Sequence, residues 1–107
     1  MKETSPLSVL GDFSFDEKTI NLNPNDGFDL GIMTTEKVVK VFAGSNAPLK
    51  GDETDSFTYG KLYLSNDVTM GCVELSLKTV QKLGRPKKVV LTYVEEEKYG
   101  RLGIRPA

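Results

Sequence analysis

The sequence feature that most constrains this chain is a short helix whose start, end and buried face can all be read from residues 76–86. Ser76 is a good N-cap, because its hydroxyl can accept hydrogen bonds from backbone N–H groups two or three residues later. Gly84 can take the left-handed conformation that ends a helix, and Pro86 cannot continue one. Two turns span only about 10 Å and are unstable alone, so this helix must dock on a sheet.

The surrounding residues predict that sheet. Leu77, Val80 and Leu83 recur every three residues, which places them on one helical face. A strand is predicted before the helix, through Cys72, and a second one follows it at residues 89–94, where β-branched and aromatic residues are frequent. A polar turn and a last strand complete the second half of the chain.

The first half predicts further short strands. Alternating apolar and polar residues indicate a hairpin of residues 13–15 with 19–23, after a loosely held lead-in over residues 1–10. Residues 23–27, Asn-Pro-Asn-Asp-Gly, form a dense turn signal, and residues 28–33 a weaker strand. Clearer strands are predicted at 38–43 and 57–64, with a polar loop at 44–56 between them. No internal repeat is evident.

These elements predict a mainly β protein, a small barrel or half-barrel of short strands with one short helix at about residues 77–83. A chain of 107 residues is expected to form one compact domain. Its acidic, β-rich segment 1–60 has five Lys or Arg against ten Asp or Glu, a net charge of −5; segment 61–107 has nine against five, a net charge of +4. This asymmetry indicates either a basic binding face or two halves that pair with each other.

Composition also limits where the protein works. Cys72 is the one cysteine in the chain, so no internal disulfide can form and a reducing, cytoplasmic location is expected. No apolar run approaches the roughly 20 residues of a membrane span, and the first residues lack the pattern of a signal peptide. We therefore expect no membrane association.

No catalytic, cofactor or metal site is predicted. The chain has no histidine, the commonest general base and metal ligand. Cys72 lies in an apolar strand without a basic activator, which is typical of a structural thiol. Residues 21–27 lack the glutamate that closes a calcium loop, and residues 44–51 lack the Gly-Lys-Ser/Thr ending of a phosphate loop. We therefore expect no enzyme.

One cluster of cations stands out near the helix. Lys78 and Lys82 are four residues apart on the helical face opposite the apolar one, and Arg85, Lys87 and Lys88 continue the charge beyond the helix end. Such a cluster suits contacts with phosphates. The alternative is that these cations complement the helix dipole and keep the domain soluble.

The stretch from Gly71 through Leu83-Gly84 to the ending Ile104-Arg105-Pro106 resembles the AbrB-like (SpoVT/AbrB, swapped-hairpin) domain over about residues 62–106. Cys72 stands where that family usually has a basic residue, and Ser76 where it often has proline. The resemblance implies a homodimeric transcription regulator or antitoxin whose two chains interleave their strands and bind double-stranded DNA. The DNA-binding residues it implies are Lys61, Lys78, Lys82, Arg85, Lys87, Lys88 and Arg101.

A second interpretation is a protein-binding inhibitor or adaptor of the phage or mobile-element type. It would act through the acidic half and the 44–56 loop, with Asp52, Glu53 and Asp55 as contacts to a basic protein target. A pI near 5.4 and the absence of a basic residue directly after Gly71 favour this interpretation.

The helix assignment can be tested by comparing two substitutions. Leu83→Ala should lower the free energy of unfolding by roughly 2–5 kcal/mol, because it removes a buried anchor. Ser76→Ala should cost only about 1 kcal/mol through the loss of the cap. Urea denaturation ranks the two variants, and the reverse order would show that the helix or its buried face is placed wrongly.

Overall fold

A computed structural model describes residues 2–12, 19–43, 58–96 and 99–107, which form a closed β-barrel with two short helices. The strands are β1 Lys2–Glu3, β2 Leu7–Asp12, β3 Thr19–Leu22, β4 Glu36–Ala43, β5 Thr58–Leu64, β6 Cys72–Ser76, β7 Lys88–Val94 and β8 Gly100–Pro106. The helices are α1 Pro24–Asp29 and α2 Leu77–Lys82. The predicted mainly β class and the small barrel are confirmed. No described helix has the length and apolar character needed to cross a membrane.

Seven strands form the barrel wall in the order β7-β2-β6-β3-β5-β4-β8, and the pairing of β8 with β7 closes the ring. β1 pairs with the same edge of β7 as β2 does, and so extends that side. Buried apolar side chains from all seven wall strands fill the interior. The described strands of one chain thus close the barrel without a partner's strands, so the interleaving of two chains that the resemblance implies is not needed to complete it. The homodimer stays a prediction.

The barrel consists of two structurally equivalent units, β2-β3-α1-β4 and β5-β6-α2-β7. Equivalent residues lie 53 positions apart: the N-caps Asn23 and Ser76, the C-caps Leu30 and Leu83, and the left-handed glycines Gly31 and Gly84. The parallel pairing of β2 with β6 is matched by that of β5 with β3, with the same offset. The expectation of no internal repeat is therefore wrong for the structure. Over residues 19–31 and 72–84 only three equivalent positions are identical, which hides the repeat in the sequence.

The two units meet where β3 pairs antiparallel with β6. Asn21 lies opposite its own equivalent, Glu74, and the Nδ2 of Asn21 donates a hydrogen bond of 3.1 Å to the Oε1 of Glu74. An approximate two-fold axis therefore passes through this residue pair. β8 lies outside the two units, and it closes the ring on the far side by lying between β4 and β7.

The first helix, α1, corrects the predictions made for residues 23–33. The predicted turn and the predicted weak strand are a helix and the turn that follows it. The Oδ1 of Asn23 accepts a hydrogen bond from the backbone N–H of Asn25 at 2.9 Å, and Pro24 occupies the first turn, where its missing N–H is not needed. Asn, Pro and Asp favour helix starts as well as turns, and this shared preference explains the error.

The second helix, α2, agrees with its prediction. It begins after Ser76, whose Oγ accepts from the backbone N–H of Thr79 at 3.2 Å, and its C-cap Leu83 is buried.

Two further predictions for the first half are wrong. β3 pairs with β5 on one edge and β6 on the other, so neither edge is left for a hairpin with residues 13–15, which themselves lie outside the described residues. Residues 7–10, part of the loose lead-in expected over residues 1–10, belong to the wall strand β2. The predicted 44–56 loop lies outside the described residues.

The helices dock on the barrel through complementary pairs of small and large residues. In the second unit a Cβ added at Gly11 of β2 would lie 2.9 Å from the Cδ2 of Leu77, and Val80 also packs there. In the first unit the small residue lies on the helix, since a Cβ added at Gly27 would lie 2.5 Å from the Cδ2 of Leu64. Gly27 is equivalent to Val80, and Leu64 is equivalent to Gly11. The large residue of the pair therefore lies on the strand where α1 docks and on the helix where α2 docks.

This exchange predicts a compensating pair of substitutions in the first unit. Gly27→Val should lower the free energy of unfolding by roughly 1–3 kcal/mol, because it overfills the contact with Leu64. Adding Leu64→Ala should then cost less than it does in the native background, since it makes room for the new side chain. Urea denaturation of the four proteins of this cycle measures the coupling, and strictly additive costs would contradict the proposed contact.

Candidate functional site

The clearest charged surface in the described part of the chain follows α2 and the turn that joins it to β7. We call it the α2 surface; it comprises Lys78, Lys82, Arg85, Lys87 and Lys88. Four of these residues, Lys78, Arg85, Lys87 and Lys88, are exposed. Lys82 is the last residue of α2.

Contacts with β2 set the extent of this surface. α2 lies over Gly11, while the carbonyl of Lys87 accepts from the N–H of Val9 at 3.0 Å and Lys88 lies opposite Ser8. From Ser8 to Gly11 the strand advances about 10 Å at roughly 3.3 Å per residue. The backbone that carries these cations therefore spans about 10 Å, similar to the width of a DNA major groove, about 12 Å.

The four exposed cations of the α2 surface differ from other cations of the barrel, because they have no acidic partner among the described residues. Lys37 pairs with Glu95 at 2.8 Å, Arg101 with Glu96 at 2.7 Å and Arg105 with Glu3 at 3.3 Å. Among the residues that the structure describes, no acidic group forms an ion pair with the four exposed cations of the α2 surface. Their charge is thus directed to solvent, as on a surface that attracts an anionic partner.

The equivalent helix α1 shows whether the fold requires the positive charges that α2 carries. α1 carries Asp26 and Asp29, a net charge of −2 over six residues, whereas α2 carries Lys78 and Lys82, a net charge of +2. α1 has no basic residue in its last turn and is nevertheless formed. Cations at the helix end are therefore not a requirement of this fold, which weighs against a purely dipole-related role for those of α2.

Arg85 adds a second observation at the end of α2. Its φ of +56° is left-handed, and it is the one described non-glycine residue with a positive φ. Its N–H donates to the carbonyl of Val80 at 2.9 Å, just as its equivalent Ile32 donates to Gly27 at 3.0 Å, but Ile32 is buried and Arg85 is exposed.

The identity of this residue is not explained by the turn. A left-handed conformation costs a residue with a Cβ about 1–2 kcal/mol, and the following Pro86 restricts position 85 further. Glycine or asparagine would fit with less strain. A strained residue whose charge the turn does not need is a functional candidate.

The two remaining predicted DNA contacts are not part of this surface. Lys61 is exposed on β5 opposite Thr19 and Val38, on the side of the barrel away from β2 and β7. Arg101 is only 2% exposed, its Nε donates to the Oε1 of Glu96, and its guanidinium lies 5.8 Å from the centre of the Phe42 ring. The geometry therefore does not favour a phosphate contact for Arg101, because its side chain is buried and engaged by Glu96 and the Phe42 ring.

The other predicted positions give less information. Asp52, Glu53 and Asp55, the contacts of the protein-binding interpretation, lie outside the described residues. Cys72 is half-buried on β6. Within the described ranges no cluster of three or more His, Cys, Asp or Glu residues is arranged to hold a metal ion.

Sequence reasoning missed a cavity of about 420 Å³ between β1, the turn after α1 and the end of β7. The Nζ of Lys37 donates to both carboxylate oxygens of Glu95, at 2.8 and 3.0 Å, and the hydroxyl of Tyr93 donates to the Oε2 of Glu95. The lining residues are Lys2, Leu30, Gly31, Ile32, Met33, Thr34, Lys37, Tyr93 and Glu95. They come from three distant parts of the chain, so no local sequence pattern predicts the cavity.

The hydrogen bonds in this cavity fix the charge of its acidic group. The bond from Lys37, followed by that from Tyr93, lowers the pKa of Glu95 below its usual value. Burial, with the hydrogen bond to Glu95 and its negative charge, raises the pKa of Tyr93 well above its usual value. At neutral pH Glu95 is therefore a carboxylate with both oxygens engaged, and Tyr93 is a neutral donor.

No protein-family model matches this chain, and no curated protein matches it in sequence. The resemblance to the AbrB-like domain stays a prediction.

The strain at Arg85 predicts an effect on stability. Arg85→Asn should raise the free energy of unfolding by about 1 kcal/mol, because asparagine tolerates the left-handed conformation better. Lys87→Asn removes an equal charge at a position without a positive φ, and it should give no such gain. Urea denaturation compares the two variants. A loss of stability in Arg85→Asn would show that the arginine contributes to the fold.

Proposed function

We propose that this chain is a small, non-enzymatic DNA-binding protein of the transcription-regulator type that contacts duplex phosphates through the α2 surface. The observation that carries the proposal is a set of exposed cations without described acidic partners, placed on a helix whose structural equivalent is acidic. The fold does not require these charges, and their spread suits phosphates on either side of a groove.

The dimensions of α2 favour phosphate contacts over deep reading of base edges. A helix of six residues is only about 9 Å long, so few of its side chains can reach into a groove. Contacts with phosphates position a protein on DNA without specifying a sequence. With up to five such contacts, the logarithm of the binding constant should fall linearly with the logarithm of the salt concentration. The slope should be no steeper than about −4.5.

The acidic part of the chain would orient the protein on DNA. Residues 1–60 carry a net charge of −5 and residues 61–107 one of +4. A polyanion is repelled by the acidic α1 and attracted to the α2 surface, so the duplex is approached with one face. Binding is therefore compatible with a total charge of −1.

The expected homodimer and cytoplasmic location belong to this proposal. Because the described strands of one chain close the barrel, a dimer would form through outer surfaces and would present two α2 surfaces to one duplex. Two linked surfaces bind more tightly than one if both can engage at once. Light scattering with and without duplex measures this assembly.

Protein binding is the second candidate. Three of the large apolar side chains exposed on the described part of the chain lie on α1, in the turn after it, or in the 65–71 connection that contacts it: Phe28, Met33 and Met70, exposed by 63%, 79% and 63%. The N–H of Gly71 donates to the Oδ2 of Asp26 at 2.9 Å, which joins that connection to α1. Acidic residues Asp29 and Asp67 are exposed in the same two segments, as a basic partner would require.

Charge reversal tests the DNA proposal. The variant Lys87→Glu with Lys88→Glu leaves the buried core unchanged, so it should fold. It should lose binding to every duplex tested, and the native protein should show a steep dependence on salt. Fluorescence anisotropy with a labelled random-sequence duplex, at low and at physiological salt, measures both effects.

The matched control is the variant Lys2→Glu with Lys61→Glu, which changes the net charge equally at exposed sites away from the α2 surface. It should retain most of the binding. Equal losses in the two variants would indicate a general charge effect, and absence of binding by the native protein at low salt would end the DNA proposal in favour of a protein partner.

A further inference from the structure

We propose that the cavity between β1, the turn after α1 and the end of β7 binds a small organic anion with an apolar body. This inference is independent of DNA binding, because none of its lining residues belongs to the α2 surface. Its volume of about 420 Å³ is that of a site for a small molecule.

The floor of the cavity is formed largely by apolar side chains that the fold buries. Leu30 is 1% exposed, Ile32 3% and Tyr93 3%. Leu30 caps α1, and the N–H of Ile32 donates to the carbonyl of Gly27 at 3.0 Å, which holds the turn in place. These side chains therefore form a preformed floor, which limits the entropy lost on binding, and the apolar part of a ligand would contact mainly Met33, which is 79% exposed.

The charged groups of the cavity leave one positive charge unbalanced. Glu95 already accepts from Lys37 and Tyr93, and its carboxylate balances Lys37. The Nζ of Lys2 lies 3.4 Å from where a Cβ of Gly31 would be, so this side chain crosses the bare glycine at the cavity. Within the described part of the chain Lys2 has no acidic partner. An anionic group would contact Lys2 and the remaining N–H of Lys37.

One wall of the cavity comes from a segment that the repeat of the two units does not account for. The connection after α1 is three residues longer, by strand register, than the one after α2: Gly31 to Val39 against Gly84 to Val89. The added length includes Met33, whose side chain is 79% exposed. A flexible apolar side chain at the rim of a cavity is suited to cover a bound ligand.

The fluorescent dye anilinonaphthalene sulfonate, an organic anion with an apolar body, is the probe for this site. The native protein should bind it saturably. Lys2→Gln should weaken binding about tenfold, as expected for loss of a charged contact, and Met33→Ala should weaken it severalfold. The uncharged relative phenylnaphthylamine should bind more weakly and should not respond to Lys2→Gln. Circular dichroism verifies that each variant is folded.

Two control variants locate the dye. Lys88→Gln removes an exposed cation of the α2 surface, and Met70→Ala removes an exposed methionine outside the cavity; neither should change the affinity. Backbone amide shifts should change for residues 30–37 and 93–95. The proposal is overturned if the native protein does not bind the dye saturably, or if Lys88→Gln and Met70→Ala weaken binding as much as the cavity variants do.

Discussion

The antiparallel pairing of β3 with β6 is the contact on which the rest of the barrel depends. It joins the two units, and each of these strands then pairs in parallel with a strand of the other unit, so the units interlock. Ile20 and Leu75 are fully buried while Asn21 and Glu74 are not. A slip by one residue would exchange these faces and bury the polar pair. The burial of Ile20 and Leu75 on the inner face of the sheet therefore fixes the register. The hydrogen bond between Asn21 and Glu74 on the outer face is consistent with it.

The sequence predicted what depends on neighbouring residues. The cap, the apolar face and the Leu-Gly ending of α2 were sufficient to place that helix, and the same ending at Leu30-Gly31 could have revealed α1 if the two segments had been compared. What depends on distant parts of the chain was missed. Arg101 looks like any surface cation until Phe42 and Glu96 are placed around it. The cavity is not predictable locally, since its residues meet only when the barrel closes.

The repeat provides an internal control for interpreting charge. Two helices with the same position, length and capping carry opposite charges, so the shared features identify what the barrel requires and the differences identify what it tolerates. The matched pairs of one small and one large residue are a feature that the barrel requires, because they preserve the packing of each helix on its strand. These pairs are Gly27 with Leu64 and Val80 with Gly11. The cations of α2 and the strained Arg85 are features that the barrel tolerates. The fold does not need these cations, and it is destabilised by the strain at Arg85. A functional role is the simpler explanation for such features.

The α2 surface and the cavity are connected through β7, which begins with Lys88 and has Tyr93 near its end, about 17 Å further along at roughly 3.4 Å per residue. Coupling between two sites needs an element with two arrangements that both ligands influence. β7 is hydrogen-bonded to β1 and β2 on one edge and to β8 on the other, and Val89, Leu91 and Tyr93 fill the core. Shifting it would break pairing on both edges together. A rigid strand of this kind holds two sites at a fixed separation without transmitting a change, so an anion in the cavity should stabilise the fold and leave the charge presented by α2 unaltered.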